Sequence, residues 1–200
     1  MLTQIIFILI AVVILSRLGR FFLTPFFKKI GVMKYYSSMF CAIKIGEDIY
    51  EFHLGTSWDF FIQGNVTPKK TLYFLAKGLL NLCNDIELGK INRAAKFRGN
   101  TFYLKESTVS RFGFKARKLN IFEKLLFYQS YFELCVLNSI IHKRVTIIRV
   151  NNVRIIYSTG EEILKHRSKF EMILRRFDNP TFTMKGCPNT ASQTAEVNLN

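Results

Sequence analysis

Three stretches of the chain carry apolar residues at helical steps of three and four. The first follows Thr67 and Pro68, a capping threonine with proline at the first helical position. Asn120 and Thr159 introduce the other two, each with a glutamate three residues further on, as in a capping box. The pattern therefore predicts three main helices, over about 68–87, 121–141 and 160–177.

Strand-like alternation occurs in two pairs of segments. Segments 39–45 and 49–54 flank a glycine-containing turn, which is typical of a hairpin. Segments 145–150 and 153–157 flank Asn151 and Asn152, a pair that tolerates positive φ and indicates a type I′ turn. A further short strand is expected at 101–104. We therefore predict an α+β domain of two β-hairpins packed with the three main helices.

The amino terminus opens with an apolar run. Residues 2–15 carry no charge, and as a helix they cover about 21 Å of a hydrocarbon core of about 30 Å. Extension to Leu23 would cover about 33 Å and place Arg17 and Arg20 near one interface, where long side chains can reach the headgroups. The run predicts one N-terminal transmembrane helix.

Two alternatives to that anchor are a buried core helix and a cleaved signal peptide. The second lacks a basic segment before the run and a small-residue cleavage site after it. Residues 1–29 contain no acid, and their cations follow the run, so the positive-inside rule predicts a cytoplasmic C-terminal domain. We expect a single-pass protein of the inner (plasma) membrane.

The 200 residues suit one domain of ordinary size. Pro25, Gly31 and the pair Lys28 and Lys29 mark the exit from the apolar run. The predicted organisation is an N-terminal membrane anchor at 1–24, a basic linker at 25–34, an α+β domain at 35–180 and a disordered tail at 181–200.

Charge narrows the class of partner. Twenty-nine Lys and Arg against 14 Asp and Glu give a net charge of +15, which favours an anionic surface over a neutral substrate. The cations are densest over 88–119, where Glu106 is the single acid. The candidate anion-binding residues there are Arg93, Lys96, Arg98, Arg111, Lys115, Arg117 and Lys118.

Three uses of this basic segment stay open. It could bind anionic phospholipid headgroups, to which each nearby cation contributes about 1 kcal/mol. It could be a solvated face that keeps the protein soluble. It could bind nucleic acid, because aromatic residues that could stack on bases alternate with the cations: Phe97, Phe102, Tyr103, Phe112 and Phe114.

The densest set of reactive side chains lies at the end of the first hairpin. His53 and Asp59 could act as a base and the group that orients it. The structural alternative is that Thr56 or Ser57 caps a short helix over 58–62. The four cysteines form no C-x-x-C pair and have no histidine at ligand spacing, so we expect no metal site and no cofactor.

The order of features over about 43–132 resembles a group of small uncharacterised bacterial proteins. The likeness lies in Arg98-Gly99-Asn100-Thr101, followed by Ser110-Arg111-Phe112-Gly113-Phe114 and a long aromatic helix. Phe112 stands where leucine is commoner in that turn. The resemblance implies a bacterial source and an envelope setting, and it implies no activity or cofactor.

These observations favour a membrane-tethered accessory or binding module whose basic face engages anionic lipid headgroups or a protein partner. One alternative is a small envelope enzyme that acts on an acidic or phosphorylated lipid or glycan. In that case His53 and Asp59 would do acid–base chemistry while basic side chains such as Arg98 hold the anion. The other alternative is a nucleic-acid-binding protein.

Overall fold

The computed structural model describes residues 2–64, 66–102, 104 and 106–178. Seven α-helices and six strands lie in this part of the chain, together with a 3₁₀ turn at Val150–Asn152. In chain order they are α1 (Leu2–Lys29), β1 (Met33–Ser37), β2 (Phe40–Gly46), β3 (Ile49–His53), α2 (Ser57–Gln63), α3 (Pro68–Glu87), β4 (Lys96–Thr101), α4 (Glu106–Arg111), β5 (Lys115–Lys118), α5 (Ile121–His142), β6 (Arg154–Thr159), α6 (Gly160–Lys165) and α7 (Arg167–Asp178).

The described strands form one mixed sheet in the order β1-β2-β3-β4-β6-β5. Only β3 and β4 are parallel, and α2 and α3 lie in the long connection that a parallel pair requires. The other neighbours are antiparallel. The α+β class is confirmed, but the predicted architecture of two separate hairpins is wrong, because long-range pairing joins all the strands in a single sheet.

The first predicted hairpin is present as β2 and β3. The second is not. Residues 145–149 run beside α5, where the Thr146 N–H bonds the Ser139 hydroxyl at 3.0 Å and the Ile148 N–H bonds the Cys135 sulfur at 3.5 Å. The second segment of the predicted hairpin lies in β6, which pairs with β4 and β5 instead. Alternation alone could not tell a strand from an extended segment docked on a helix.

The predicted helices over 68–87 and 121–141 are confirmed as α3 and α5, with side-chain caps from Thr67 and Asn120. The third is divided into α6 and α7 at His166, whose ring nitrogen Nδ1 lies 2.9 Å from the Glu162 carbonyl oxygen. The strand expected at 101–104 is found as β4, which begins at Lys96 and ends at Thr101.

The main core lies between the helices α3, α6 and α7 and one face of the sheet. We call that face of the sheet the covered face. The buried rings of the main core include those of Phe40, Phe52, Phe97 and Phe170. Gly78 lets α3 approach β2, because a Cβ there would lie 2.8 Å from the Cβ and Cγ of Phe40. Close approach at this one position allows the helix to close the core.

The C-terminal turns of α1 are docked on the domain. The Phe21 ring packs edge-on against Trp58 of α2, with centroids 5.0 Å apart. The Lys28 ammonium lies 4.1 Å from the centroid of the Tyr35 ring. The preceding turns carry exposed apolar side chains such as Phe7 and Ile8, so α1 is not a core helix.

The predicted transmembrane helix is corrected by the structure. Among the described residues, no helix is both long and apolar enough to cross a membrane. The apolar run ends at Leu15, so residues 2–15 cover about 21 Å along a helix, which is shorter than a hydrocarbon core of about 30 Å. The helix continues past Arg17 and Arg20 and through Pro25, so the predicted boundary between anchor and linker falls inside α1. The predicted tail at 181–200 lies outside the described residues.

Candidate functional site

On the face of the sheet opposite the covered face, Lys96 and Arg98 of β4 are exposed, whereas Ile155 of β6 packs on α5. We call this face the open face. Register aligns Glu51, Arg98, Tyr157 and Lys115 in one row across β3, β4, β6 and β5. Because side chains alternate along a strand, the residues two positions away lie on the same face. Pairing between distant parts of the chain thus decides which side chains meet here.

Four of the predicted anion-binding residues lie on the open face. They are Lys96 and Arg98 on β4 and Lys115 and Arg117 on β5, and all four are exposed. β6 separates the two strands and contributes Tyr157 between Arg98 and Lys115. Neighbouring strands lie about 4.8 Å apart, so the four charges occupy a patch roughly 10 Å wide. We call these residues the four-cation cluster.

Two members of the cluster already have acidic partners. Arg98 Nη2 lies 3.3 Å from Glu51 on the neighbouring strand. Arg117 donates two hydrogen bonds to Glu123 in the first turn of α5, at 2.8 and 2.6 Å. Lys96 and Lys115 form no ion pair with any residue that the structure describes. The open face therefore keeps excess positive charge at these two lysines.

The Glu123 carboxylate is the most perturbed acid near the cluster. Its pKa falls to about 2, mainly because of the hydrogen bonds from Arg117, with further help from the Asn120 N–H and the charge of Arg98. The carboxylate also closes the capping box of α5 by accepting from the Asn120 N–H at 2.8 Å. One side chain thus joins the open face to the first turn of α5.

The other three predicted anion-binding residues lie elsewhere. Arg93 precedes β4, and its carbonyl oxygen accepts from the Glu161 N–H. Arg111 ends α4, which packs into the main core through Val109. Lys118 follows Arg117 on β5, so the pleat directs it toward the opposite face. The structure brings four of the seven together and leaves three outside the cluster.

Of the five aromatic residues interleaved with these cations, three lie in the core, Phe102 is partly buried and Tyr103 lies outside the described residues. Phe97, Phe112 and Phe114 are all buried in the main core. The base-stacking role considered for these three rings is therefore wrong. The ring that the open face does present is Tyr157, which is 41% exposed. Sequence spacing alone could not separate the core rings from the surface ring.

Asp59, one of the two predicted catalytic residues, holds three elements together. Its Oδ2 accepts from the Tyr35 hydroxyl at 2.7 Å and from the Thr56 N–H and hydroxyl at 2.8 Å each. Its Oδ1 lies 3.6 Å from the Lys28 ammonium. The side chain is buried, and Thr56 and Asp59 form the capping box of α2. The expected cap of a short helix near 58–62 is thereby confirmed.

His53, the other predicted catalytic residue, lies on the same side of the sheet as Tyr35 and Cys41. It pairs with Cys41 on β2, which in turn pairs with Tyr35 on β1. Its Nε2 lies 3.9 Å from the Glu51 carboxylate. Burial raises the pKa of the Cys41 thiol to about 12, and burial together with the Asp59 hydrogen bond raises the pKa of Tyr35. The Cys41 thiol and the Tyr35 hydroxyl therefore stay protonated at neutral pH. The acid–base roles of His53 and Asp59 stay predictions.

In the described part of the chain, no group of three or more His, Cys, Asp and Glu side chains could hold a metal ion. Comparison with known proteins gave no match to a family model, a curated protein or a solved structure.

A second surface, which the sequence patterns did not predict, adjoins the four-cation cluster. α5 carries large apolar side chains on all sides, and only one side is packed in the domain. The other side exposes Ile121, Phe122, Leu125, Phe132, Val136 and Ile140. We call these six the α5 apolar face. A helix that is apolar all round was the signal in the sequence that could have revealed it.

Proposed function

We propose that this protein is a non-catalytic module that binds an anionic phospholipid surface through the four-cation cluster. The observation that carries the proposal is the strand register, which gathers Lys96, Arg98, Lys115 and Arg117 on the open face. The charge on this face agrees in sign with the net charge of +15 of the whole chain. Anionic lipid headgroups are the partner that such charge attracts.

The carboxylates beside the four-cation cluster indicate a surface that contacts anionic groups at several points, each of them weakly. Glu51 and Glu123 hold Arg98 and Arg117 in place, and Lys96 and Lys115 keep their charge for a ligand. A deep anion pocket would need cations converging on an enclosed space, whereas these side chains stand on an exposed sheet. An extended anionic surface fits that geometry better than a single small anion does.

Binding of the full-length protein to phosphatidylcholine vesicles with and without phosphatidylglycerol tests the proposal. Removal of two charges by Lys96→Gln with Lys115→Gln is expected to cost about 2 kcal/mol, or about 30-fold in partitioning to the anionic vesicles. The matched control is Lys77→Gln with Lys169→Gln, which removes two exposed charges from α3 and α7 on the covered side.

Equal loss in the two double variants would contradict the proposal, because net charge alone would then explain binding. Tighter binding to a single-stranded oligonucleotide than to anionic vesicles at low salt would also contradict it, in favour of nucleic acid. Unchanged binding in both variants would show that the four-cation cluster is not the site.

A further inference from the structure

The α5 apolar face is unusual for a surface exposed to water. Ile121 and Phe132 are 88% and 80% exposed, and the other four members are also exposed. The six residues recur along nearly the whole 22-residue helix on one side. The opposite side packs through Phe127 and its neighbours into a small core under β6. Helical spacing places the exposed Gln129 between Leu125 and Phe132, so this side is a mainly apolar surface with one polar residue in it and not a few scattered residues.

Cations border this apolar face at both ends. At its start, Glu123 is bonded to Arg117 of the four-cation cluster, so Ile121 and Phe122 lie beside the open face. At its end, Lys143 and Arg144 follow the helix and are exposed. The following segment exposes Val145 and Ile147 as well. Apolar residues bordered by basic ones are the composition of helices that lie at a membrane interface.

The neighbouring helix α2 also exposes apolar side chains. The Ser57 hydroxyl of α2 donates to Glu133 of α5, which fixes the two helices side by side. Phe61 and Ile62 of α2 are both exposed. Two helices from distant parts of the chain therefore present apolar side chains in one region of the molecule.

We infer that the α5 apolar face inserts into the interfacial region of an anionic phospholipid bilayer while the four-cation cluster contacts the headgroups. The inference rests on the proposed function, because it takes the same membrane as the partner. A second copy of the chain is the less suitable occupant, since two chains of charge +15 repel each other. The bilayer offers apolar depth and negative charge together.

Site-specific fluorescence of the full-length protein tests the insertion. Trp58 is the single tryptophan, so Trp58→Phe gives a background without indole emission. Phe132→Trp in that background reports on the α5 apolar face, and Met172→Trp reports on exposed α7 on the covered side. With phosphatidylglycerol vesicles that contain brominated acyl chains, we expect quenching and a blue shift for Phe132→Trp only. Equal quenching at the two positions, or none at position 132, would overturn the inference.

Salt separates the inference from the proposed function. At 1 M salt the Debye length is about 3 Å, so headgroup attraction is screened and apolar insertion remains. Phe122→Ser with Phe132→Ser is expected to lower vesicle partitioning in 1 M salt at least about tenfold. The control Leu88→Ser with Met172→Ser removes two exposed apolar side chains that lie away from α5 and is expected to leave partitioning unchanged.

Headgroup binding by the four-cation cluster and insertion of the α5 apolar face are contradicted by different results. If the lysine variants lose binding at low salt but wild type shows no salt-resistant binding and no quenching, insertion is wrong and headgroup binding stands. If quenching occurs but the lysine variants bind normally, insertion stands and the proposal that the four-cation cluster binds the headgroups is wrong. A lipid-free dimer that Phe122→Ser with Phe132→Ser converts to a monomer, measured by sedimentation equilibrium, would assign the α5 apolar face to a second copy instead.

Discussion

The covered and open faces of the sheet differ although the same strands build both. On the covered face, Phe52 and Phe97 stack with their centroids 5.0 Å apart beneath α3. On the open face, the residues beside them on those strands include Glu51 and Arg98, which form a surface ion pair. Apolar burial stabilises the first face, whereas exposed ion pairs contribute little stability. The open face can therefore be altered for binding without loss of the fold.

The largest expected effect comes from removing a ring from the covered face. Phe97→Ala should lower the free energy of unfolding by about 3–5 kcal/mol, because the ring is fully buried among aromatic neighbours. Tyr157→Ala on the adjacent strand, facing the open side, should cost less than about 1 kcal/mol. Urea unfolding of both variants measures the difference, and similar losses would contradict the contrast between the faces.

A smaller effect is expected where α3 approaches the sheet. Gly78→Ala should lower the free energy of unfolding by about 1–3 kcal/mol, because the new methyl group meets the Phe40 side chain. The matched control is Gly19→Ala in α1, where a Cβ would meet nothing within 4 Å and alanine favours the helix. A stabilising Gly78→Ala in thermal unfolding would show that Phe40 moves aside without cost.

The smallest effect concerns the open face and depends on pH. Because the pKa of Glu123 is held at about 2 in the fold, its contribution to stability is present above its ordinary value of 4.5. That contribution is lost as pH falls through about 2. Glu123→Gln should remove it, with a change below about 1 kcal/mol because Arg117 is largely exposed to solvent.

Urea unfolding between pH 2 and pH 6 checks this prediction. The difference between wild type and Glu123→Gln should shrink as the pH is lowered and should also shrink in 1 M salt. A difference that grows toward pH 2 would mean that Glu123 does not stabilise the fold through its charge.

Local signals in the sequence were sufficient for some elements. Thr67 and Pro68 located the start of α3, and Asn120 with Glu123 located the start of α5, because a cap needs only residues within one turn. The first hairpin was also found, since its strands are joined by a short turn. In each case the interacting residues are close together in the chain.

Non-local pairing explains what was missed. β1 lies partly within the predicted linker, and β5 lies in the stretch interpreted as polar and basic. β5 has one apolar residue in four, and it is a strand because β6 pairs with it from about 40 residues further on. The N-terminal run shows the same limit, because apolar composition alone did not establish a membrane span.

By itself, the amino-acid sequence determined the α+β class, the capped helices, the first hairpin and the excess of positive charge, because each depends on composition or on neighbours in the chain. Only the tertiary structure decided that four of seven cations share one face, that three interleaved phenylalanines lie in the core and that α5 leaves an apolar side exposed. Alternation gives a strand two faces, and the helices that pack from distant segments decide which of the two is buried.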